Sequence, residues 1–179
     1  MIITISGTPG SGKSTIAKVL AKKLDFKHYS IGDFMRELAE EKGMTLEEFS
    51  KQAEKSVDID KKLDEKSKKL GSEENNFVMD TRLGFHFIPN SFKIRLIVDS
   101  KIGAERIFKD SRRGESFESV EEAKEKIEKR IASERKRYAE YYNIDIDDEN
   151  NFDLVIDTSD KNPEEIVGEI IKKLNLKIN

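Results

Sequence analysis

The chain has 179 residues, a length that favours one domain, and 36% of them are hydrophobic, enough for a single core. Charged residues reach 39%, but 33 Lys and Arg nearly balance 36 Asp and Glu, so the net charge of −3 argues against a nucleic-acid-coating protein. The absence of cysteine excludes disulfides and thiolate catalysis. No apolar run approaches the ~18 residues of a membrane span. With a first strand beginning at Ile2 and no room for a signal peptide, we expect a soluble cytoplasmic protein without a membrane partner.

The first part of the chain is predicted to hold two strands and four helices. In chain order they are a strand at 2–6, a helix at 13–24, a short strand within 27–33, a helix from 33 to about 42, a helix opened by the capping box of Thr45 and Glu48, and a helix at 58–70. Gly71 is predicted to end the last of these helices, because glycine often follows a helix C-terminus.

The second part of the chain is predicted to hold three strands and three helices. They are strands at 76–80, 92–99 and 153–157, a helix at 102–108, a long helix from the capping box of Ser119 and Glu122 to about Tyr142, and a last helix from Asn162-Pro163 to near Leu174. Helices between strands predict an α/β fold with a mostly parallel five-stranded sheet that helices cover on both faces.

A glycine-rich turn links the first strand to the first helix. Residues 7–14, GTPGSGKS, match the phosphate-loop pattern G-x-x-x-x-G-K-[ST]. In such a loop, backbone N–H groups and the positive end of the following helix surround a phosphate, and side chains would block the approach. Lys13 is then expected to reach the β- and γ-phosphates, and Ser14 to hold Mg²⁺. The motif predicts a site for the triphosphate of a nucleotide.

The remaining motifs indicate which class of phosphate-loop protein this is. The guanine-reading pattern N-K-x-D and the switch pattern D-x-x-G are both absent, which argues against a GTPase. ATP-driven machines usually need a longer chain, so a small-molecule kinase is favoured. An alcohol acceptor would require a carboxylate base, whereas a nucleoside monophosphate already presents an anionic oxygen and instead requires positive charge. Arginine suits that task because its planar guanidinium binds phosphate in a bidentate manner.

Several arginines are placed where an acceptor phosphate could bind. Arg36 lies one turn inside the predicted helix at 33–42, and Arg82 follows the strand at 76–80, at the edge where open α/β sheets bind ligands. Arg130, Glu134 and Arg137 are spaced i, i+4, i+7 on the long helix, beside its apolar stripe. Two further arginines, Arg112 and Arg113, lie in a polar segment predicted to be a mobile loop.

Other polar residues near strand ends have more than one interpretation. Asp80 could hold Mg²⁺ through water, or be an ordinary strand-end aspartate. Asp33 could cap its helix, contact the acceptor, or act as the base of an alcohol kinase; the cap is favoured. Ser30 could contact the acceptor or simply end a strand, and His28 and His86 are expected to be structural.

The motifs together resemble a known family, the archaeal-type cytidylate kinases, within the nucleoside monophosphate kinase branch of the P-loop fold. The matching segments are GTPGSGKST, SIGDFMRELAEEKG, DIDKKLDE, DTRLG, RIASERKRYAEYYNIDIDD and DLVIDTS. They keep their order, and the resemblance extends over nearly the whole chain. The resemblance implies phosphoryl transfer from ATP to CMP, with dCMP as a second acceptor and Mg²⁺ as cofactor. It implies one domain with a core at 1–33, 72–108 and 119–179, an acceptor-binding helical subdomain at about 34–71 and a lid at about 109–118. We expect a monomer whose partners are these nucleotides.

The resemblance also assigns roles to single residues. It implies a triphosphate site made of Gly7, Thr8, Pro9, Gly10, Ser11, Gly12, Lys13, Ser14 and Thr15. Arg36 and Arg82 would hold the acceptor phosphate, and Arg130 and Arg137 would join Lys13 at the transferring phosphoryl group. The pattern is similar to R-D-x-x-D-x-x-R of bacterial cytidylate kinases, which places Glu134 near the acceptor sugar.

Three other hypotheses stay open at the level of sequence. An adenylate, uridylate or thymidylate kinase would use the same phosphate chemistry. A shikimate-type small-metabolite kinase would use Asp33 as a base and Arg82 to hold a carboxylate. An ATP-binding regulatory factor would bind ATP and turn over no monophosphate.

Overall fold

A parallel sheet forms the centre of the protein. The computed structural model describes residues 1–55, 57–110 and 117–178. Five strands pair in the order β2-β3-β1-β4-β5, all parallel, which confirms the predicted sheet. They are β1 (Ile2–Gly7), β2 (Lys27–Ser30), β3 (Phe77–Asp80), β4 (Phe92–Ile97) and β5 (Leu154–Asp157). Because parallel strands end at the same edge, the residues that follow β1, β2 and β3 are brought side by side.

The described helices surround this sheet. They are α1 (Lys13–Leu24), α2 (Ile31–Glu41), α3 (Leu46–Lys55), α4 (Val57–Glu73), α5 (Gly84–Phe87), α6 (Ser100–Lys109), α7 (Val120–Tyr142) and α8 (Pro163–Ile178). The main core joins the central strands to α1 and α8 through residues such as Ile5, Leu20 and Ile170. No helix in the described ranges is both long and apolar enough to cross a bilayer.

A second, smaller core lies between α2, α3 and α4. Ala39, Phe49, Ala53, Ile59 and Leu63 are buried together there, away from the sheet. Burial of these side chains stabilises α2 and α3, since isolated helices of 10 or 11 residues are marginal in water. The cluster falls within residues 34–71, the segment for which the sequence predicts an acceptor-binding subdomain.

Some predicted boundaries are wrong. Gly71 does not end its helix, because α4 continues to Glu73. A Cβ at Gly71 would lie 2.9 Å from Cγ2 of Ile88, so the glycine permits a close approach within the helix instead of stopping it. The last helix extends to Ile178, beyond the predicted end near Leu174. The short helix α5 and a 3-10 turn at Glu149–Asn151 were not predicted.

The helix starts follow the predicted caps with one exception. Ser119 accepts from the Glu122 N–H at the start of α7, as predicted. At the start of α2, however, the cap is Ser30, whose Oγ accepts from the N–H of Asp33 at 3.3 Å. The interpretation of Asp33 as a cap is therefore wrong, because α2 begins at Ile31, two residues earlier than predicted. Residues 111–116 of the predicted lid, with Arg112 and Arg113, lie outside the described residues.

Candidate active site

The phosphate loop connects β1 to α1. Gly12 is the residue that precedes α1 and has a left-handed conformation, with φ of 81°. Gly10 has φ of 80°, and a Cβ there would lie 2.4 Å from the carbonyl oxygen of Gly103 in α6. A side chain at position 10 would therefore collide with α6. The loop is folded so that the N-terminus of α1 opens toward the cleft described below.

Lys13 lies at the start of α1 and faces the same cleft. Its Nζ donates to the carbonyl oxygen of Thr8 at 2.9 Å, which folds the side chain over the loop. Burial and the nearby guanidinium of Arg82 hold the pKa of Lys13 well below its usual range. An arriving triphosphate would favour the charged form of the lysine. In the free protein, therefore, the positive charge of Lys13 is poorly neutralised at the position where the sequence predicts that the β- and γ-phosphates bind.

Asp80 ends β3 beside the phosphate loop and is 5% exposed. Its Oδ1 accepts from Ser14 Oγ at 3.3 Å and from Ser30 Oγ at 3.0 Å, while its Oδ2 lies 3.0 Å from Nε2 of His28. Mg²⁺ in phosphoryl-transfer sites uses one or two protein oxygens together with phosphate and water oxygens. The Ser14 hydroxyl and the Asp80 carboxylate, already in contact, fit that requirement. His28 orients the carboxylate, a role that the sequence alone did not indicate.

Glu134 joins two of the predicted phosphate-binding arginines. Its side chain, on α7, is 9% exposed, and its two carboxylate oxygens pair with Arg82 Nε at 2.9 Å and Arg130 Nε at 3.1 Å. Arg82 also donates to the carbonyl oxygen of Gly7. Burial opposes ionisation of Glu134, but the two guanidinium groups outweigh it and lower its pKa. Glu134 is therefore ionised at neutral pH and holds both arginines at the mouth of the phosphate loop.

The other two predicted arginines also have acidic neighbours. Arg36 Nη2 donates to Asp33 Oδ1 within α2, and the Asp33 side chain is 49% exposed. Arg137 Nε lies 3.6 Å from Oδ2 of Asp60, a residue of α4. Both of these atoms are buried, and neither forms a hydrogen bond with any of the described residues. The pair is therefore close enough for attraction but leaves hydrogen-bonding capacity unused.

Asp64 lies one helical turn after Asp60 on α4. Its Oδ2 accepts from the hydroxyl of Tyr142 at the end of α7. Burial raises the pKa of Asp64 to about 6, and the neighbouring charge of Asp60 adds to this effect, although the Tyr142 hydroxyl opposes it. Asp64 is thus a carboxylate whose ionised form is poorly compensated in the free protein.

Replacing Asp64 with asparagine is expected to stabilise the free protein at pH 7.5. Because the folded-state pKa is raised, the native state holds the proton longer than the unfolded state, so the free energy of unfolding falls as pH rises from about 4 to about 6. A shift of about two units corresponds to at most about 3 kcal/mol, and partial solvent exposure reduces this to about 1 kcal/mol. Urea unfolding should show this gain at pH 7.5 and almost none at pH 4. An equal gain at both pH values would contradict the assignment.

One cleft of about 510 Å³ brings most of the predicted site together. The predicted residues that line it are Pro9, Gly10, Gly12, Lys13, Ser14, Ser30, Arg36, Asp80, Arg82, Arg130, Glu134 and Arg137. Asp33 is not part of the wall.

Asp60 and Asp64 line the wall but were not predicted as site residues. The sequence did contain a signal for these two aspartates. They are four residues apart in DIDKKLDE and follow Ile59 and Leu63, which are buried, so a helix places both aspartates along one edge of its apolar face.

Comparisons with known proteins show which family the chain belongs to. The model of the cytidylate kinase-like family matches residues 2–160. The chain is 39% identical over 178 residues to a cytidylate kinase of Archaeoglobus fulgidus, covering 99% of this chain and 96% of that protein. It is 43% identical over 164 residues to a cytidylate kinase of Methanocaldococcus jannaschii, covering 89% of each.

Solved structures show the same architecture. A shikimate kinase from Bacteroides thetaiotaomicron is similar with a TM-score of 0.67 over 98% of both chains, at 16% identity. A likeness at this identity shows the fold alone, and it confirms the predicted P-loop kinase fold. The match over residues 2–160 and the near full-length archaeal relatives go further, and they show that the chain belongs to the cytidylate kinase-like family.

Proposed function

We propose that the protein transfers the γ-phosphoryl group of ATP to CMP, giving ADP and CDP, and that it also accepts dCMP. The observation that carries this proposal is the meeting of a phosphate loop with Arg36, Arg82, Arg130 and Arg137 in one cleft. Membership of the cytidylate kinase-like family supports CMP as the acceptor. The enzyme is accordingly an ATP-dependent nucleoside monophosphate kinase.

The chemistry requires two polyanions to approach one another. An oxygen of the acceptor phosphate attacks the γ-phosphorus, and the bond from that phosphorus to the β,γ-bridging oxygen breaks. Backbone N–H groups of residues 7–15 and the N-terminus of α1 bind the donor phosphates, while Lys13 compensates their charge. Arg82 and Arg36 hold the acceptor phosphate, and Arg130 and Arg137 stabilise the charge that develops on the transferred group.

No proton has to be removed from the acceptor, because its phosphate is already anionic. A general base is therefore unnecessary, and Asp33 is free to orient Arg36 as the structure shows. Glu134 acts in the same way on Arg82 and Arg130, since both of its oxygens are already engaged by guanidinium groups. We therefore assign Glu134 to positioning these arginines rather than to contact with the sugar.

Ser14 and Asp80 would hold Mg²⁺ together with the donor phosphates. When bound, the metal would neutralise the negative charge on the β- and γ-phosphates. The protein's own contribution is to orient the Asp80 carboxylate through its contacts with Ser14, Ser30 and His28.

A panel of acceptors tests the proposal directly. With MgATP as donor, we expect kcat/KM for CMP to exceed the values for UMP, AMP and dTMP by at least about 10²-fold, which corresponds to one or two specific base contacts. We expect dCMP to be the second acceptor. A coupled assay for ADP release measures all five. Equal turnover of CMP and AMP would remove the assignment of a cytidylate kinase, and ATP binding without turnover of any monophosphate would indicate a regulatory factor.

Shikimate belongs in the same panel because the structural neighbours include shikimate kinases. Turnover of shikimate that depended on Asp33 as a base would favour the small-metabolite alternative. We expect none, since the family match rests on sequence and the shikimate kinases share only the fold. The variant Asp33→Asn should accordingly weaken acceptor binding modestly, through Arg36, and should not abolish turnover.

A further inference from the structure

Three polar pairs join α7 to the elements that face it along the cleft. In order along α7 they are Glu134 with Arg82, Arg137 with Asp60, and Tyr142 with Asp64. Eight residues separate the first and last α7 positions, which is ~12 Å along a helix axis at ~1.5 Å per residue. That distance is comparable to the extended length of a nucleoside monophosphate from its phosphate to the far edge of its base. The three pairs therefore form a ladder on which such a ligand could lie.

The first pair of the ladder marks its phosphate end. Arg82 reaches both Glu134 and the carbonyl oxygen of Gly7 in the phosphate loop. The third pair, Tyr142 with Asp64, lies farthest along α7 from this point. An acceptor whose phosphate is held by Arg82 would therefore direct its base toward Asp64.

The middle pair of the ladder has unused hydrogen-bonding capacity. The Asp60 side chain is 10% exposed and lines the cleft, yet its Oδ2 and the Nε of Arg137 have no hydrogen-bond partner in the part of the chain that the structure describes. Buried polar atoms are nearly always paired in folded proteins, because leaving one unpaired is destabilising. Asp60 and Arg137 attract one another at 3.6 Å, so this wall of the cleft presents a charged pair that can still form hydrogen bonds with a polar ligand.

The last pair of the ladder presents a half-buried hydrogen-bond acceptor. The Tyr142 hydroxyl occupies Oδ2 of Asp64, and burial raises the pKa of this carboxyl to about 6. The adjoining wall of the cleft includes Leu63, Leu83 and Met35, whose side chains suit the face of an aromatic base. An ionised carboxylate in these surroundings gains from a second donor and is penalised by another acceptor.

We propose that Asp64 selects cytosine over uracil by accepting a hydrogen bond from the exocyclic amino group of the acceptor base. Cytosine presents the N4 amino donor at this edge, whereas uracil presents the O4 acceptor, as thymine does, which a carboxylate repels. Tyr142 acts as a positioning residue, because its hydroxyl holds one oxygen of Asp64 and leaves the other for the base. The inference rests on the proposed function, since it names the specificity determinant of that same site.

The variant Asp64→Asn provides a test by gain of activity. An asparagine amide can donate to O4 of uracil and can still accept from cytosine N4, so kcat/KM for UMP should rise about 30-fold while that for CMP falls no more than about 3-fold. Damage to the fold cannot raise turnover of UMP. An unchanged ratio of CMP to UMP, or an equal loss for both, would overturn the inference. The control Glu65→Gln removes an exposed charge from the same helix and should leave the ratio as it is; a matching shift there would also overturn it.

Removal of the amino group from the substrate provides an independent test. The monophosphate of the pyrimidin-2-one ribonucleoside carries hydrogen in place of the cytosine amino group. The wild-type protein should use it about 30-fold less well than CMP, whereas Asp64→Ala should hardly distinguish the two, because the contact is already lost. Strictly additive effects would show that Asp64 does not contact the amino group. If the wild-type protein phosphorylated no CMP, both the proposed function and this inference would fail. If it phosphorylated CMP, but the effects of Asp64→Ala and of removing the amino group were additive, only the inference would fail.

Discussion

Replacing Lys13 with alanine is expected to lower kcat for CMP phosphorylation by about 10³-fold, the upper range for loss of one charged group at a transition state. Lys13 is the partly buried cation at the start of α1, and its lowered pKa reflects burial and the neighbouring Arg82. In the free protein that charge is poorly compensated, so its removal should not reduce stability. We therefore expect an unchanged or slightly higher melting temperature together with the loss of turnover.

Lys18→Ala is the matched control for this experiment. Lys18 lies on the same helix and is exposed to solvent, so its removal should change neither kcat nor the melting temperature. Steady-state kinetics and thermal unfolding on both variants separate catalysis from folding. Full turnover by Lys13→Ala would remove the assignment of residues 7–15 as the donor phosphate site.

Arg82→Ala is expected to raise the KM for CMP by about 10²-fold, the effect of truncating a buried charged partner. The KM for ATP should change by less than about 3-fold, because the donor phosphates are held chiefly by the phosphate loop. The measurement is initial-rate kinetics with each substrate varied in turn. Equal effects on both Michaelis constants would remove Arg82 from the acceptor site.

Loss of Arg82 also has a structural consequence that must be distinguished from its effect on binding. Glu134 would keep only Arg130 as a close partner, so its pKa should rise and the protein should become less stable at neutral pH. The double variant Arg82→Ala, Glu134→Gln removes the under-compensated carboxylate and should recover stability without recovering the KM for CMP. Arg135→Ala, at an exposed position of α7, serves as the arginine control.

Elements marked by short-range patterns were predicted well from the sequence. The strand–glycine–helix motif at residues 2–24 is visible because alternation, glycine spacing and helical periodicity are properties of neighbouring residues. The capping boxes at Thr45 and Ser119 were recognised for the same reason, since a cap is made within four residues. Gly71 was misinterpreted because its effect depends on Ile88, which is close in space but 17 positions away along the chain.

The sequence identified candidate site residues by their residue type, but it did not show which residues they would contact. A sequence shows that arginines at 36, 82, 130 and 137 are available for phosphate. It does not show that Glu134 holds two of them, or that the wall facing α7 carries Asp60 and Asp64. The contacts of Glu134 with Arg82, Arg137 with Asp60 and Tyr142 with Asp64 join α7 to the loop after β3 and to α4 across 52 to 78 residues. Only packing of the helices against the sheet determines them.

The sequence by itself determined the parallel α/β architecture, the phosphate loop and the surplus of arginines suited to a second phosphate. The architecture and the phosphate loop are encoded in runs of adjacent residues whose local preferences agree with the final fold, whereas the arginines are recognised by residue type and by their positions in the predicted elements. The tertiary structure alone decided which carboxylates pair with Arg82 and Arg137, that His28 orients Asp80, and that Asp64 lines the cleft with one oxygen held by Tyr142. The physical reason is that electrostatic compensation depends on distance and burial, and residues far apart along the chain acquire both only when the elements pack together.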